Sequence, residues 1–395
     1  MGEIIHIQNG ACGNRIGEEY LARISLEHGI YNYEYSGCSD CDLVRVGTYF
    51  NETQNKYTAR AVMVNLDPSP LDSVKQNPGR CSVSNNNIIT GNVGALGRWK
   101  EGRILSSEII DTVMDVIRCE AEKANNLQGF QMLHSLGGGC GSSMSSLIME
   151  NIRDNYVKKD ILNFPVFPSR RLATSQESYN TIMGLDSLIN YSDCAICIDN
   201  DTIENKIGKV NGIDDLKLVN ETITLAMSGV TLPLRSYDHE HFSLGDLMKV
   251  TKDKLKFLMC GVSPIPECRY DRIWHDVVSN DNMIVPTNGY QRRLISGLVT
   301  YRGRCSDVDV YDQVTQQLSN YYVECNGVDI SICQTIPIRH HKISACSILN
   351  SVNIIYLLEN VLKTSETNFI GPKYQDIVYA KESVLNLINE YKLQG

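Results

Sequence analysis

Apolar runs alternate with amphipathic stretches along the first half of the chain. Short apolar runs predict buried strands at residues 3–8, 61–66, 129–134 and 195–198. Apolar residues at i, i+3, i+4 and i+7 predict helices over residues 14–28, around 107–117 and around 144–152. Strands that alternate with helices are typical of a parallel sheet covered on both faces, with ligands at the carboxyl ends of the strands. We therefore predict an α/β fold of this kind.

The second half of the chain mixes helices and strands less regularly. A long apolar helix is predicted from residue 216 to near residue 229. Short apolar runs predict the strands of a second α/β layer at residues 256–259, 294–301, 329–333 and 343–348. Two amphipathic stretches predict C-terminal helices at residues 354–363 and 379–391. This pattern divides the chain into three parts, at residues 1–200, 201–350 and 351–395.

Composition and charge narrow the class of protein. The chain has 395 residues, of which 46 are acidic and 37 basic, and a formal charge of −9. The acidic balance argues against a nucleic-acid partner, because phosphate binding favours clustered Lys and Arg. No apolar run approaches the ~20 residues that span a bilayer, and the first residues lack the basic flank of a signal peptide. We therefore expect a cytoplasmic protein with neither a membrane nor a nucleic-acid partner.

The chain contains 14 cysteines, which we expect to be reduced and buried rather than disulfide-bonded. Two pairs have CxxC spacing, Cys38 with Cys41 and Cys194 with Cys197. More than 150 residues separate the two pairs. The second pair lies in a predicted strand, where residues three apart face opposite sides. We interpret these cysteines as core residues rather than zinc ligands.

Two glycine-rich turns are the most informative motifs. HSLGGGCGSS at residues 134–143 follows a predicted strand and opens a helix, and GACG at residues 10–13 occupies the same position after the first strand. Glycines in such turns let backbone N–H groups approach a phosphate, and a helix N-terminus adds partial positive charge. The sequence has no GxxxxGK[ST] P-loop. On the residues alone, ordinary tight strand-to-helix turns remain an alternative.

At these motifs the sequence resembles the tubulin family. HSLGGGCGSS is similar to the family signature GGGTGSG, and MGEIIHIQNGACGNRIG is similar to the family's opening. The similarity continues in order through FNETQNKYTARAVMVNLDP (50–68), CIDN (197–200), MSGVT (227–231) and YRGR (301–304). Within the family the sequence is most similar to β-tubulin, with γ-tubulin as the alternative.

The resemblance implies a fold. It consists of a Rossmann-like GTP-binding domain over residues 1–200, a core helix with an intermediate α/β domain over 201–350, and a C-terminal helical hairpin over 351–395.

The resemblance also implies a site for GTP or GDP with Mg²⁺. Asp67 matches the acidic residue near the Mg²⁺ and the γ-phosphate, and Glu177 matches the glutamate that contacts ribose. Asn200 and Asn220 match the two asparagines that bind guanine, which suits an amide with both a donor and an acceptor. The implied triphosphate contacts are Gly10, Ala11, Cys12, Asn92, Ser135, Gly139, Cys140 and Gly141.

Five positions depart from the family pattern, and four of them weaken the implied nucleotide contacts. Ala11 replaces a phosphate-contacting glutamine, and Cys140 replaces a threonine whose hydroxyl is the better donor. Leu216 replaces an aromatic residue that stacks on guanine, and Asn92 is the remnant of a longer asparagine-rich loop. Together these changes predict an affinity lower by orders of magnitude, since each ~1.4 kcal/mol is a factor of ten. Arg15, where glutamine is usual, is a candidate compensation.

Tubulins assemble head-to-tail and hydrolyse GTP in trans, so the resemblance implies no catalytic residue in cis. A loop and helix of each subunit cover the nucleotide of its neighbour, and here that element contains Asp246 and Lys249. Lys249 stands where α-tubulin carries a catalytic glutamate. The implied partners are an α-tubulin-like subunit, further copies in a lattice, and microtubule-associated proteins of the cytoskeleton.

Other functions are compatible with parts of the sequence. Shortened segments at residues 263–282 and 369–374, where the family makes lateral and motor contacts, favour a divergent paralogue in nucleation or capping with weak or no GTPase activity. A dinucleotide-dependent dehydrogenase is disfavoured, because no GxGxxG opens the first helix. The last 30 residues hold four acidic and three basic side chains. We therefore expect the charge to lie on the folded body rather than on an acidic tail.

Overall fold

A computed structural model describes most of the chain. The described residues are 2–37, 43–169, 174–211, 216–239, 241–263, 276–287, 292–303, 322–325, 327–333, 344–366 and 375–394, with single positions at 312, 314, 316 and 318. Cys38 and Cys41, most of the predicted lateral-contact segment and residues 369–374 lie outside this part of the chain.

The described strands and helices follow one another in the order expected for an α/β chain. The strands are β1 (Glu3–Asn9), β2 (Ile30–Tyr31), β3 (Glu34–Tyr35), β4 (Phe50–Thr53), β5 (Lys56–Ala59), β6 (Ala61–Asn65), β7 (Ile88–Thr90), β8 (Leu127–Ser135), β9 (Asp160–Phe167), β10 (Cys194–Asp199), β11 (Phe257–Ser263), β12 (Arg292–Arg302), β13 (Tyr322–Cys325), β14 (Val328–Cys333) and β15 (Ser344–Ser351). The helices are α1 (Gly10–Glu27), α2 (Asp72–Gln76), α3 (Trp99–Glu122), α4 (Gly139–Asn155), α5 (Ser175–Tyr191), α6 (Asn200–Asn211), α7 (Leu216–Arg235), α8 (Leu244–Met248), α9 (Ile355–Glu366) and α10 (Gln375–Lys392).

One large sheet organises the described chain, and β2 to β5 form a small antiparallel sheet beside it. Seven neighbouring strands, in the order β7–β6–β1–β8–β9–β10–β11, run parallel. β15 pairs antiparallel with β11 and β12, and β12 also pairs with β13 and β14. The direction of the strand order changes between β1 and β8. In open parallel sheets, ligands bind at such a point, at the carboxyl ends of the strands.

The predicted α/β class is confirmed. The strands of the second half continue the same sheet, because β11 pairs directly with β10, from Ala195 opposite Phe257 to Cys197 opposite Met259. The domain bounds at residues 200 and 350 remain a prediction.

Alternate side chains of the sheet pack into two apolar clusters, one on each face. Ile5 and Ile7 of β1 belong to the cluster covered by α3, α4 and α5, whereas Ile4 belongs to the cluster under α1 and α7. Cys197 lies in the first cluster and Cys194 in the second, so this pair does face opposite sides of the sheet. In the described part of the chain, no helix combines the length and the apolar character that crossing a bilayer requires.

Several helix ends differ from the expected ones, and two of these differences have a local physical reason. α1 begins at Gly10 rather than at residue 14, because the positive φ of Gly10 (+74°) lets the chain pass directly from strand to helix. α7 continues past Gly229 to Arg235, where Leu234 is still buried in the core. Pro233 lies inside the last turn of α7, where it cannot donate the helical hydrogen bond to the carbonyl of Gly229, and the helix ends two residues later.

A buried ion cluster links α1, α7 and β12. The Glu27 carboxylate lies 2.5 Å from Arg235 Nη2 and 2.6 Å from Arg302 Nη1, and Ser228 Oγ donates to it at 2.8 Å. The side chains of Arg235 and Arg302 are 2% and 3% exposed. Burial alone raises the pKa of Glu27, but the two guanidinium groups outweigh it, and the pKa lies well below its ordinary value. Removal of one charge from the cluster would therefore leave a buried charge without its partner.

Candidate functional site

The predicted nucleotide residues gather at one rim of the sheet, because parallel strands end at the same edge. Gly10 follows β1, Asp67 follows β6, Asn92 follows β7, the glycine turn of residues 136–139 follows β8, and Asn200 follows β10. Ala11 and Asn92 are exposed, and Ser135 is half-buried. This rim includes the point between β1 and β8 at which the strand order changes direction.

The two glycine turns are in backbone contact at this rim. A Cβ added to Gly10 would lie 2.8 Å from Gly141 Cα, so no side chain fits between the turns. Asn14 Nδ2 donates to the carbonyl of Gly10 and to that of Val64, both at 2.8 Å, which ties the first turn to β6. At these glycines the backbone itself forms the surface of the rim.

The helices α1 and α4 present uncapped N-termini to the rim. Neither has a side-chain cap from Asn9 or Gly138, and neither carries an acidic residue in its first turn. The first N–H groups of a helix have no partner within the helix, and the helix dipole places partial positive charge there. Two such ends side by side form a site suited to an anion such as a phosphate chain.

Cys140, in the first turn of α4, directs its thiol to the loop after β6. Its Sγ donates to Asn65 Oδ1 at 3.2 Å and accepts from the Leu66 N–H at 3.4 Å. Burial raises the pKa of this thiol to about 11, so it remains neutral at physiological pH. Burial likewise raises the pKa of Cys12 to about 11, against the lowering influence of Arg15. Both groups are weaker donors toward a phosphate than a hydroxyl.

Asp67 lies exposed at the end of the β6 loop, in a turn fixed by its neighbours. Its Oδ1 accepts from the N–H and the hydroxyl of Ser69 at 3.0 and 2.9 Å, and Asn65 Nδ2 donates to its carbonyl at 2.7 Å. The described residues contain no group of three or more His, Cys, Asp or Glu that could hold a metal ion. A cation beside Asp67 would therefore take most of its ligands from phosphates and water, which is the coordination that Mg²⁺ favours.

At the other end of the rim, Asn200 begins α6 with an unsatisfied acceptor. Its Oδ1 is buried and has no hydrogen-bond partner. Leaving such an atom unpaired costs free energy, so the position fits a ligand that donates a hydrogen bond, as a guanine edge does. Asn220 on α7 hydrogen-bonds the Glu19 carboxylate. Leu216, where an aromatic is usual, is 67% exposed.

Glu177 closes a capping box at the start of α5. Its Oε2 accepts from the Thr174 N–H at 2.8 Å, and Thr174 Oγ1 accepts from the Glu177 N–H at 3.2 Å. A carboxylate has two oxygens and can serve a cap and a ligand together. The ribose contact stays a prediction.

Asp246 and Lys249 lie at the opposite edge of the sheet. Leu244 N–H, at the start of α8, donates to Gln128 Oε1 at 2.8 Å, and Gln128 lies at the amino end of β8. Lys249 is exposed, and its Nζ is 2.7 Å from Asp246 Oδ1. The hydrogen bonds from Lys249 and then Ser243 lower the pKa of Asp246 to about 2. One strand thus carries the glycine turn at one end and the α8 contact at the other.

Asn180, on the buried face of α5, joins the glycine turn after β8 to the segment that leads into α3. The sequence pattern does not predict this connection. Its Nδ2 donates to the carbonyls of Gly97 and Gly137, both at 2.7 Å, and its Oδ1 accepts from the Trp99 N–H at 3.0 Å. Asn180 ends the stretch ESYN, which the sequence links to ribose through Glu177, but its own partners come from two other loops and cannot be read from that stretch.

Comparison with known proteins agrees with this geometry. The family described as Tubulin/FtsZ family, GTPase domain matches residues 3–208. The chain belongs to the tubulin/FtsZ family.

Curated relatives extend the tubulin similarity over nearly the whole chain. It is 33% identical to the tubulin beta chain of Pneumocystis carinii over 382 residues, which cover 91% of this chain and 86% of the relative. It is 32% identical to the tubulin beta-2 chain of Emericella nidulans over 387 residues, which cover 91% of this chain and 85% of the relative. The predicted general identity, a GTP-binding cytoskeletal subunit of the β-tubulin type, is thereby confirmed. The individual site residues remain predictions.

Proposed function

We propose that this tubulin-family chain is the β-type subunit of a cytoplasmic head-to-tail filament that it forms with an α-tubulin-like partner. One observation carries the proposal: the glycine rim and α8 lie at opposite ends of β8. A subunit built in this way can place its α8 over the rim of the next subunit while its own rim is covered by the one before. Microtubule-associated proteins would then contact the assembled lattice.

The rim supports GTP or GDP binding with divided roles. The N-termini of α1 and α4, through Gly10, Ala11, Cys12 and the turn at 139–141, bind the phosphates. Asn200 and Asn220 bind the guanine edge, and Glu177 the ribose. Asp67 contributes a carboxylate to a Mg²⁺ held mainly by phosphate oxygens, and that ion neutralises phosphate charge.

A second function is favoured by the side chains at the phosphate end. The Cys140 thiol is engaged by Asn65, Ala11 offers no donor, and Leu216 offers no stacking ring. These features favour a nucleating or capping paralogue that binds nucleotide weakly.

Analysis of the bound nucleotide separates these functions. The chain is purified in Mg²⁺-containing buffer and denatured, and the released nucleotide is identified by ion-exchange chromatography. We expect a stoichiometric amount of GTP or GDP. A chain that releases no nucleotide and binds GTP only at millimolar concentrations or not at all would contradict the first function and support the second. Release of NAD would contradict both.

Lys249 leads to a prediction about hydrolysis. A lysine ammonium donates hydrogen bonds and has no lone pair, so it cannot act as a general base toward a water over the neighbour's nucleotide. Lys249→Glu is expected to raise GTP turnover in assembled filaments at least tenfold, since such groups typically contribute ~10²–10⁴-fold. The measurement is phosphate release per assembled subunit.

Lys252→Glu is the matched control, because Lys252 is also exposed and the charge change is the same. It should leave turnover near the wild-type rate. An unchanged rate for Lys249→Glu, or an equal rise for both variants, would remove the support for this role of the α8 element.

A further inference from the structure

We propose that Asn180 is a positioning residue for the triphosphate, holding the glycine turn after β8 and the loop of residues 92–98 in a fixed relation. The inference rests on the proposed nucleotide site. It adds a residue that would not itself touch the nucleotide and whose effect would fall on the phosphates rather than on the base.

The contacts of Asn180 place it between the two loops. The residue is fully buried, and its side chain makes three hydrogen bonds to backbone groups, those of Gly97, Gly137 and Trp99, at 2.7 to 3.0 Å. Its Oδ1 also accepts a longer bond from Gln176 Nε2, on the same helix, at 3.5 Å. Its own carbonyl accepts from Ser142 Oγ of α4 at 2.9 Å. The glycine turn, the start of α3 and the first turns of α4 are therefore all attached to one residue.

The two loops also abut directly. A Cβ added to Gly139 would lie 2.6 Å from the Arg98 nitrogen and 2.7 Å from the Gly97 carbonyl carbon. A shift of the loop at residues 92–98 would therefore displace the N-terminus of α4, which is one of the two helix ends proposed to bind phosphate.

The loop at residues 92–98 contains a strained turn that such an attachment would stabilise. Leu96 has a φ of +49° and Gly97 a φ of +72°, and a left-handed conformation is costly for a leucine. Leu96 is also 85% exposed, so its own side chain contributes little packing to hold the turn. The bond from Asn180 to the Gly97 carbonyl acts directly after the strained residue, Leu96.

Only an amide of this size satisfies all three backbone partners. Two of them are carbonyls that need donors, and the third is an N–H that needs an acceptor. An aspartate at this position would keep the shape and the acceptor, but it would face the two carbonyl oxygens without a donor. The substitution Asn180→Asp therefore removes the attachment with minimal change in volume.

The position of the loop at residues 92–98 indicates that loss of its attachment to Asn180 would affect binding of the phosphates. A Cβ on Gly94 would lie 3.6 Å from the Asp67 Cβ, so the loop borders the proposed Mg²⁺ residue. Asn200, the proposed guanine contact, follows β10, three strands away from β1 in the sheet. Loss of the attachment should therefore weaken GTP binding much more than GMP binding.

The test compares Asn180→Asp with Asn350→Asp in the full chain. Asn350 is also fully buried, and its Nδ2 also donates to two carbonyls, those of Val250 and Leu255, but it lies in β15, away from the rim. Dissociation constants for GTP and for GMP are measured with Mg²⁺, together with thermal unfolding of each variant. For Asn180→Asp we expect the GTP constant to rise about tenfold or more and the GMP constant by less than about threefold, as loss of two or more buried hydrogen bonds implies.

Both variants should unfold at lower temperature, and Asn350→Asp should leave the ratio of the two constants unchanged. If Asn180→Asp does not fold, Asn180→Ser tests the same attachment. Serine retains one donor, so we expect a smaller selective loss of GTP affinity. The inference would be overturned if Asn180→Asp bound GTP as tightly as the wild type or lost affinity for GTP and GMP equally. It would also be overturned if Asn350→Asp showed the same selective loss. A wild-type chain that binds neither nucleotide would overturn the proposed function itself.

Discussion

Replacing Glu27 by glutamine is expected to lower the free energy of unfolding by about 3–5 kcal/mol, the loss typical of breaking a buried ion pair from one side. Glutamine keeps the size of the side chain and part of its hydrogen bonding. It leaves Arg235 and Arg302, 2% and 3% exposed, without the carboxylate that balances them. The loss arises mainly from two buried cations that water cannot reach.

Urea unfolding of the wild type and of Glu27→Gln measures this difference. Glu122→Gln serves as the control, since Glu122 pairs with Arg118 at 2.7 Å but is 62% exposed. An exposed pair of this kind contributes at most ~1 kcal/mol. Similar losses in the two variants would show that burial of the Glu27 cluster has no special effect.

The same cluster gives stability a pH dependence of known sign. The folded-state pKa of Glu27 lies below its ordinary value of 4.5. The unfolded chain therefore binds the proton more readily, and the stabilisation is complete above about pH 4.5 and is lost as the pH falls below it. Wild-type stability should fall more steeply than that of Glu27→Gln between about pH 5 and pH 3. Parallel curves would contradict this assignment.

Gly10→Ala is expected to weaken guanine-nucleotide binding by roughly fivefold to a hundredfold and to lower the stability of the chain. The overpacking costs ~1–3 kcal/mol, with ~1.4 kcal/mol for each factor of ten in affinity, and the left-handed φ costs an alanine a further ~1–2 kcal/mol of stability. The new Cβ would lie 2.8 Å from Gly141 Cα, with backbone on both sides. The turns must separate to admit it, which moves apart the two helix ends proposed to bind the phosphates.

Gly327→Ala is a control that has the strain of a left-handed φ without a steric clash of the added Cβ. Gly327 has a φ of +69°, close to that of Gly10, but an added Cβ meets nothing within 4 Å. This variant should lose some stability and retain full nucleotide affinity, as measured by titration with a fluorescent GTP analogue. If both variants bound nucleotide as tightly as the wild type, contact between the glycine turns would have no role in the site.

Local patterns predict the parts of the fold that depend on neighbours in sequence. The strand, glycine turn and helix from Glu3 to Glu27 are one continuous stretch, and the turn at residues 136–139 likewise follows its own strand. The pattern predicts α7 too short because Gly229 resembles a helix end, whereas packing of the buried Leu234 carries the helix on. β9, with Asn163 and Pro165 inside it, has no clear strand pattern and is not predicted.

The contacts that the sequence could not predict join distant segments. Arg302 lies 275 residues from Glu27, and Asn180 lies 83 residues from Gly97 and 43 from Gly137. Arginine, glutamate and asparagine are mostly surface residues, so their types alone predict exposure. Only the three-dimensional arrangement shows that these side chains are buried and mutually dependent.

The placement of the rim and α8 at opposite ends of β8 has a kinetic consequence for a head-to-tail stack. A stack of such subunits has chemically different tips: one displays an open rim, and the other displays an α8 with nothing beneath it. Nucleotide can exchange with solvent at the first tip, while at the second every rim is already covered. The two tips should therefore add and lose subunits at different rates, and a mixture of GTP and GDP should change the rate at one tip far more than at the other.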